Sequence, residues 1–386
     1  MNTLYGYKRA DGRYGIRNHV VVLPSVGCCN GVIHKIKEKV PQVTTLMHAY
    51  GCARGPADTA LHHKTFLHVA SHPNVYAVLV IALGCEILDT NKLVEDIKAI
   101  GKPVEHINIQ QTGGTYKTVE ASIPILERFL REAKEQEKVE FELSQLTIGL
   151  QCGGSDAFSG STANSAVGIA CDKVIEQGGR VIITETTELI GTLDILQSRA
   201  KNKQVADDLR RILEDRYALV EKCMGNKADF VISPGNMAGG MTTIQEKSLG
   251  CVCKGGHTPI NQVVDNATIP TEKGLIVMDA TGYDTESTTA VVAGGAQIVL
   301  FTTGRGNPYG FPTVPVIKIA STTRLYNTMT DDIDINAGKI VDGLSIEEMG
   351  EEIFEEIISV ANGKKTKPEV NDTIGLFSIY CSTPSL

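Results

Sequence analysis

Apolar, β-branched runs recur along this chain with helical stretches between them, and that alternation admits few folds. The runs are not broken by a polar residue at every second position, so strands made from them are covered on both faces. That is how parallel sheets flanked by helices read. In the first half the runs are His19–Pro24, Thr44–Tyr50, Val75–Leu83, Val104–Ile109 and Leu146–Leu150. The intervening patterns predict helices over Asn30–Lys39, Ala57–His72, Asn91–Ile100 and Thr118–Glu137. The second half repeats this grammar with runs at Gly179–Ile183, Ala228–Ile232, Gly274–Met278, Ala296–Phe301 and Val314–Ile319. Helices are predicted there over Ala163–Gln177, Gln204–Cys223, Met241–Gly250, Thr288–Ala293 and Ser345–Ala361. The fold class is α/β, with two parallel-sheet domains. The charged stretch Arg131–Glu142 is the best boundary, giving an N-terminal domain over 1–140 and a second over 141–386, although the solvated end of a helix would look the same.

At 386 residues and 42% hydrophobic, the chain can bury two such cores. Its net charge of −8, absence of Trp and 5% aromatic content argue against nucleic acid, which needs basic patches and stacking surfaces. No apolar run approaches the ~18–20 residues of a membrane span, and the start of the chain has no secretory pattern. The expectation is a cytoplasmic protein with a small-molecule partner. In a reducing compartment its ten cysteines are not a disulfide framework but core thiols, metal ligands or nucleophiles.

Three cysteines follow consecutive predicted strands: Cys28 after HVVVLPSVG, Cys52 after TTLMHAYG and Cys85 after VYAVLVIALG. Cys152 follows LTIGLQ in the same way. The carboxyl ends of parallel strands share one edge, where ligands bind, so the four thiols are predicted to converge there. Convergent thiolates suit a soft metal or an iron–sulfur cluster, and Gly27, Gly51, Gly84 and Gly153 allow close backbone approach. Each thiol alone reads more readily as a small buried hydrophobe, and only the set at strand ends makes a ligand reading as good; no compact CxxC pair is present. Cys29 is a weaker ligand candidate, and Cys171, Cys223, Cys251, Cys253 and Cys381 read as core or surface thiols.

Other strand ends carry small, polar loops. GGSDAFSGSTAN offers backbone donors and Ser155, Asp156 and Asn164 to an anion, ISPGNMAGG offers Asn236, and DATGYD follows a later strand. In FTTGRGNPYG, Arg305 between two glycines could grip a carboxylate, or make an ordinary surface salt bridge. Glu246 and Lys247 could supply a base and a cation, or a solvated helix face. His48, four residues before Cys52, is the one histidine placed to act as acid or base, against its reading as a satisfied core residue. No nucleotide-binding glycine motif is present.

Together these segments resemble the altronate and galactarate dehydratases, the UxaA-type sugar-acid hydro-lyases. The resemblance runs from Gly6 to about Lys367 and is carried by GYKRADGRYGIRN, HAYGC, LGCE, QTGGT, QCGGSDAFSG, PGNMAGGMTTIQEKSLG, FTTGRGNPYG and DINAGKI. It implies a Rossmann-like sheet in the larger C-terminal part, a dimer, dependence on iron, and loss of water from a sugar acid to give a 2-keto-3-deoxy product. Iron as mononuclear Fe2+ or as an iron–sulfur cluster would be held by Cys28, Cys52, Cys85 and Cys152. Glu86, Asp156 and Lys247 are the acid–base candidates, and Ser155, Asn164, Asn236 and Arg305 the substrate-binding ones. The chain departs from the family at Met237, where Lys is usual, and at Ser165, where Pro is usual. It also lacks the small SAF domain of fused members, which a separate small subunit could supply. The competing readings are the large subunit of a sulfolactate sulfo-lyase and a noncatalytic iron–thiol module.

Overall fold

A computed structural model describes residues 3–225 and 232–386. Among the described residues the strands are β1 (Leu4–Lys8), β2 (Tyr14–Gly15), β3 (His19–Pro24), β4 (Thr44–Thr45), β5 (Val75–Ala82), β6 (Val104–Asn108) and β7 (Val139–Phe141), followed by β8 (Thr147–Cys152), β9 (Arg180–Ile183), β10 (Ile260–Val264), β11 (Gly274–Met278), β12 (Ile298–Thr303), β13 (Val316–Ala320) and β14 (Ile335–Asn336). They form a parallel sheet of order β4-β3-β5-β6, a parallel sheet of order β10-β11-β9-β8-β12-β13-β14, and a small antiparallel sheet β2-β1-β7. The fold is α/β, as the alternation predicts.

The predicted helices are present. Asn30–Lys39 buries Val32, Ile33 and Ile36 on one face and leaves its lysines outward. Thr90–Ala99 starts where Asp89 accepts the Lys92 backbone N–H at 3.0 Å, and buries Leu93, Val94 and Ile97. The run predicted at Ala228–Ile232 falls almost wholly on 226–231, outside the described residues. Three expectations are corrected. The Thr44–Tyr50 run is a strand only over Thr44–Thr45: Leu46 N–H still donates to Val22 O at 3.1 Å, and from Met47 the chain enters the loop that carries Cys52. β10 and β14 escaped notice because they are short, and partly polar in Ile260–Val264. The small antiparallel sheet escaped because β1 alternates buried and exposed residues around a glycine.

One face of the seven-stranded sheet, with Ile148, Leu150, Leu300, Ile317 and Ile319, packs under the helices Ser165–Glu176 and Ile346–Ala361. The opposite face, with Ile276, Met278, Val299 and Phe301, shares one apolar cluster with Val21, Leu23, Val78 and Val80 of the four-stranded sheet. Burial of that common cluster holds the two sheets together. In the larger sheet the chain leaves β8 for β9 on one side and later places β12 on the other. The switch in strand order therefore lies beside β8, and the crevice at its carboxyl end is the expected ligand site. No helix among the described residues is long and apolar enough to cross a membrane.

Candidate functional site

The carboxyl edge of the four-stranded sheet is built from three loops bonded to one another. Gly27 N–H donates to Tyr50 O at 2.9 Å, and Leu88 N–H donates to Gly51 O at 3.1 Å. Glu86 joins the loops after β3 and β5 by accepting the Ser25 hydroxyl, the Leu83 and Gly84 backbone N–H groups (3.2 and 2.6 Å) and the Thr90 hydroxyl (3.0 Å). Burial opposes its charge, but these donors outweigh it and hold the carboxyl below its ordinary range. Gly51, at φ +101°, is required because a side chain there would start 2.0 Å from Ser25 O. Cys28, Cys52 and Cys85 stand on these three loops and are all exposed, while Cys29 is buried and pushed up to about 12, by burial first and Glu86 second. His48 is a satisfied core residue. Its Nε2–H donates to Pro24 O at 2.7 Å, its Nδ1 accepts the Tyr50 N–H at 3.0 Å, and burial lowers it to about 4.

A second group of polar side chains lies at the carboxyl ends of β8 and β9. Cys152, the last residue of β8, is buried with Glu185 and Glu188 from the turn after β9 and Cys251 from the helix Ile244–Cys253; their ligand atoms lie within 4.8 Å of one another. Among the described residues this is the one group so tightly gathered, and it could hold a metal ion. Glu185 accepts Lys254 Nζ–H at 2.7 Å with both side chains at 0% exposure, and also Gln151 Nε2–H at 2.7 Å and Cys152 N–H at 3.1 Å. Lys247 Nζ pairs with Glu188, whose Oε2 accepts the Cys152 thiol at 2.8 Å. Burial works against both ammonium charges, but the surrounding acidic groups outweigh it and raise both lysines. Glu185 is also held at φ +66°, an uncommon backbone for a non-glycine residue.

Asp284 opens the helix Asp284–Ala293 on the other side of β8. Its oxygens accept Gln151 Nε2–H at 3.2 Å and Asn307 Nδ2–H at 3.0 Å. Burial, then Glu188, push it up to about 6, against the pull of Lys318, Lys247 and the Gln151 bond. Gly153 backs onto it, since a Cβ there would meet Asp284 Oδ2 at 2.3 Å and Phe301 Cζ at 2.7 Å. Beyond Phe301 lies Lys318, fully buried, its Nζ 3.3 Å from the ring centroid.

The sequence-predicted residues divide between these places. Cys28, Cys52, Cys85 and Glu86 share the first edge, whereas Cys152 stands with Cys251 in the second group. Cys152, Ser155, Asp156, Asn164 and Lys247 line one cavity of about 310 Å³. Asp156 is fully engaged, accepting Ser159 Oγ–H at 2.8 Å, Phe158 N–H at 3.2 Å and Ser321 Oγ–H at 2.9 Å. Asn164 bridges Thr302 and Gly250, and Asn236 is buried against Ser233 and Met241. Arg305 is exposed beside this loop, its backbone N–H donating to Gly154 O at 2.7 Å. A cavity of about 510 Å³ lies elsewhere, against β4 between Arg17, Lys37, Phe311 and Leu376. Sequence reasoning missed Glu185, Glu188, Lys254 and Asp284. The available signal was two glutamates in TETTE directly after the strand RVII, and the last residue of DATGYD.

A parallel sheet that gathers acids, lysines and two thiols at its switch point defines an α/β enzyme. Two family profiles cover nearly the whole chain: "D-galactarate dehydratase/Altronate hydrolase, second domain" over residues 6–134 and "D-galactarate/Altronate dehydratase, C-terminal" over 143–381. The chain belongs to the galactarate/altronate dehydratase family. It is 35% identical to an altronate dehydratase of Bacillus subtilis over 96% of this chain and 76% of that protein. It is 38% identical to a galactarate dehydratase (L-threo-forming) of Escherichia coli over 94% of this chain and 73% of that one. A (2R)-sulfolactate sulfo-lyase subunit beta of Chromohalobacter salexigens is 35% identical over 95% and 94% of the two chains.

Proposed function

We propose that this chain is an iron-dependent hydro-lyase that removes water from a sugar acid, an altronate-like aldonate or a galactarate-like aldarate, to give a 2-keto-3-deoxy acid. The observation that carries the reading is the cavity that Lys247 and Ser155 line beside the exposed Arg305. Lys247 in that lining and Arg305 on the neighbouring loop would hold the carboxylate of a polyhydroxy acid. The proton α to a carboxylate is very weakly acidic, so fixed positive charge is needed where the enediolate forms. Lys247 remains an ammonium on Glu188 and suits that role, not that of a base. Asp156 and Glu86 are saturated by donors and serve to fix their loops. Asp284 is the better proton acceptor, since amides alone hold it and it titrates near neutrality.

On this reading the thiols of the first edge would hold the iron. Cys28, Cys52 and Cys85 are exposed, lie on loops bonded together, and offer soft sulfur ligands; sulfurs on different irons of a cluster need not crowd together as donors to one ion do. Iron held there would supply Lewis acidity toward a departing hydroxyl.

The match to the sulfo-lyase subunit over 94% of its length supports a second reading, release of sulfite from a sulfonated hydroxy acid, with a separate small subunit as partner. Protein prepared without oxygen should be tested against a panel of aldonic and aldaric acids and sulfolactate, with and without such a subunit. Keto-acid formation from a sugar acid supports the proposal. Sulfite release alone supports the second reading, and no turnover of any acid rejects both and leaves a noncatalytic iron–thiol protein.

A further inference from the structure

We propose that the cavity between Arg9 and Lys102, at the amino edge of the four-stranded sheet, binds a compact tetrahedral oxyanion, phosphate or the phosphate end of a small metabolite. The segment KRADGR builds one wall of it, away from both carboxyl edges. Gly12, at φ +83°, closes a tight turn between β1 and β2, in which Gly12 N–H donates to Arg9 O at 3.0 Å and Arg9 N–H to Arg13 O at 2.8 Å. The turn before β6 lies against it. Gly101 allows that approach, since at φ +86° a side chain would start 2.8 Å from the Ala10 methyl. With Tyr76 and Gln136 the two turns enclose about 160 Å³. Drug-sized ligands take roughly 300–1,000 Å³, so the occupant is compact.

The lining carries two cations that are nearly buried, Arg9 at 8% exposure and Lys102 at 6%, and neither pairs with a carboxylate among the described residues. Arg9 Nε–H donates to Pro73 O at 2.7 Å, and Nη2–H to Arg17 O and Asn18 Oδ1 at 3.1 and 2.8 Å; its Nη1 meets no acceptor among the described residues. Lys102 Nζ donates to His72 O at 2.9 Å and to Val75 O, which leaves one of its three N–H groups free. Lys8 adds an exposed third cation. Asp11 is the one acid in the lining, and Arg13 already neutralises it at 2.6 Å. Glu132, outside the lining, accepts the Tyr76 hydroxyl at 3.4 Å. Burial of charge without a counter-ion is costly, and burial first, then Arg9 and Arg13, push Lys102 well below its ordinary value. A dianion supplies the missing charge to a guanidinium and an ammonium at once, whereas a carboxylate carries half of it. This inference does not rest on the dehydratase reading.

The test is calorimetric titration of the full chain, freed of oxyanions in Tris buffer of low chloride, with inorganic phosphate, methyl phosphate and acetate. Phosphate should saturate a site at one equivalent and acetate should bind at least about tenfold more weakly. Gln136→Glu places an acid at the mouth of the cavity, on an exposed residue, and should weaken phosphate about tenfold; Lys102→Met should do the same. Lys8→Glu should weaken it several-fold, while Lys203→Glu, an equal change of charge on an exposed residue of another helix, should not. Methyl phosphate bound as well as phosphate identifies the end of a metabolite, and phosphate bound alone identifies the free ion; both support the site. No saturable phosphate binding, acetate bound as tightly as phosphate, or binding that Gln136→Glu leaves unaltered overturns the proposal. Because Gln136 is exposed, the test survives a failure of Lys102→Met to fold.

Discussion

Removing the Lys254 charge tests whether the group around Cys152 is electrically closed. Lys254 and Glu185 are both fully buried and meet at 2.7 Å. In Lys254→Met the carboxylate keeps only the Gln151 amide and the Cys152 N–H as donors, at 2.7 and 3.1 Å, besides a long contact with the Cys152 thiol. Stranding a buried charge in this way costs about 3–5 kcal/mol, whereas an exposed pair is worth about 0–1 kcal/mol. The expected loss in urea denaturation of the chelated protein is therefore about 3–5 kcal/mol, with an unchanged denaturant slope. Glu185→Gln added to Lys254→Met removes the stranded charge and should restore about 2 kcal/mol or more, a coupling that two independent sites would not show. A Lys254→Met loss below about 1 kcal/mol, or a double variant no more stable than the single, would refute the claim that the pair is sealed from water.

Four further outcomes follow from other parts of the molecule. Asp284 is raised to about 6 by burial and Glu188, while Lys318, Lys247 and Gln151 oppose the shift; as a base it works ionised, so kcat/KM should fall as pH drops through about 6, and Asp284→Asn should lose both turnover and that limb. Gly153→Ala drives a Cβ to 2.3 Å from Asp284 Oδ2 and should cost about 1–3 kcal/mol in thermal unfolding, with a fall in kcat. Cys85→Ser should lose iron and turnover while Cys171→Ser keeps both, measured by metal analysis and keto-acid assay. Asp58 is lowered to about 2, because donors from Thr383 and Ser382 outweigh its burial. The stability it lends is present above its ordinary value of 3.8 and is lost as pH falls toward 2, so Asp58→Ala should at neutral pH speed hydrogen exchange and proteolysis at Ser382 and Thr383.

Strand identity was legible where apolar runs were long. His19–Pro24 and Gly274–Met278 are strands with those bounds, and Asn30–Lys39 is a helix with those bounds, because each pattern is set by burial on both faces or on one. Placement at strand ends was legible too, and put Cys28, Cys52 and Cys85 on one edge. It could not tell one sheet's edge from another's, so Cys152 was counted with thiols it does not join. Its partner Cys251 lies 99 positions on in a helix, and nothing in the local pattern KSLGCVC reports which neighbour it faces. Glu185 and Lys254 were hidden for the same reason. Charged residues read as solvated unless a partner is known, and this partner is 69 positions away.

The two carboxyl edges belong to one side of the molecule, and the last segment of the chain connects them. The helices Pro56–Ala70 and Asp284–Ala293 pack together, each starting at the carboxyl end of its own sheet, and His72 meets Ala296 O at 3.0 Å beyond their far ends. Ser378 donates its N–H to the Thr289 hydroxyl and shares a hydrogen bond with Tyr50 near the Cys52 loop. Tyr380 lies under Arg216, which pairs with Asp279 just past β11, while Ser382 and Thr383 are gripped by Asp58 and Leu386 N–H donates to Ala53 O. Displacing this segment would release the Cys52 loop and uncover the end of β11 together. Loss of the Asp58 clamp is therefore expected to alter iron retention at the first edge and substrate affinity at the second in parallel. A change in one without the other would show that the edges act independently.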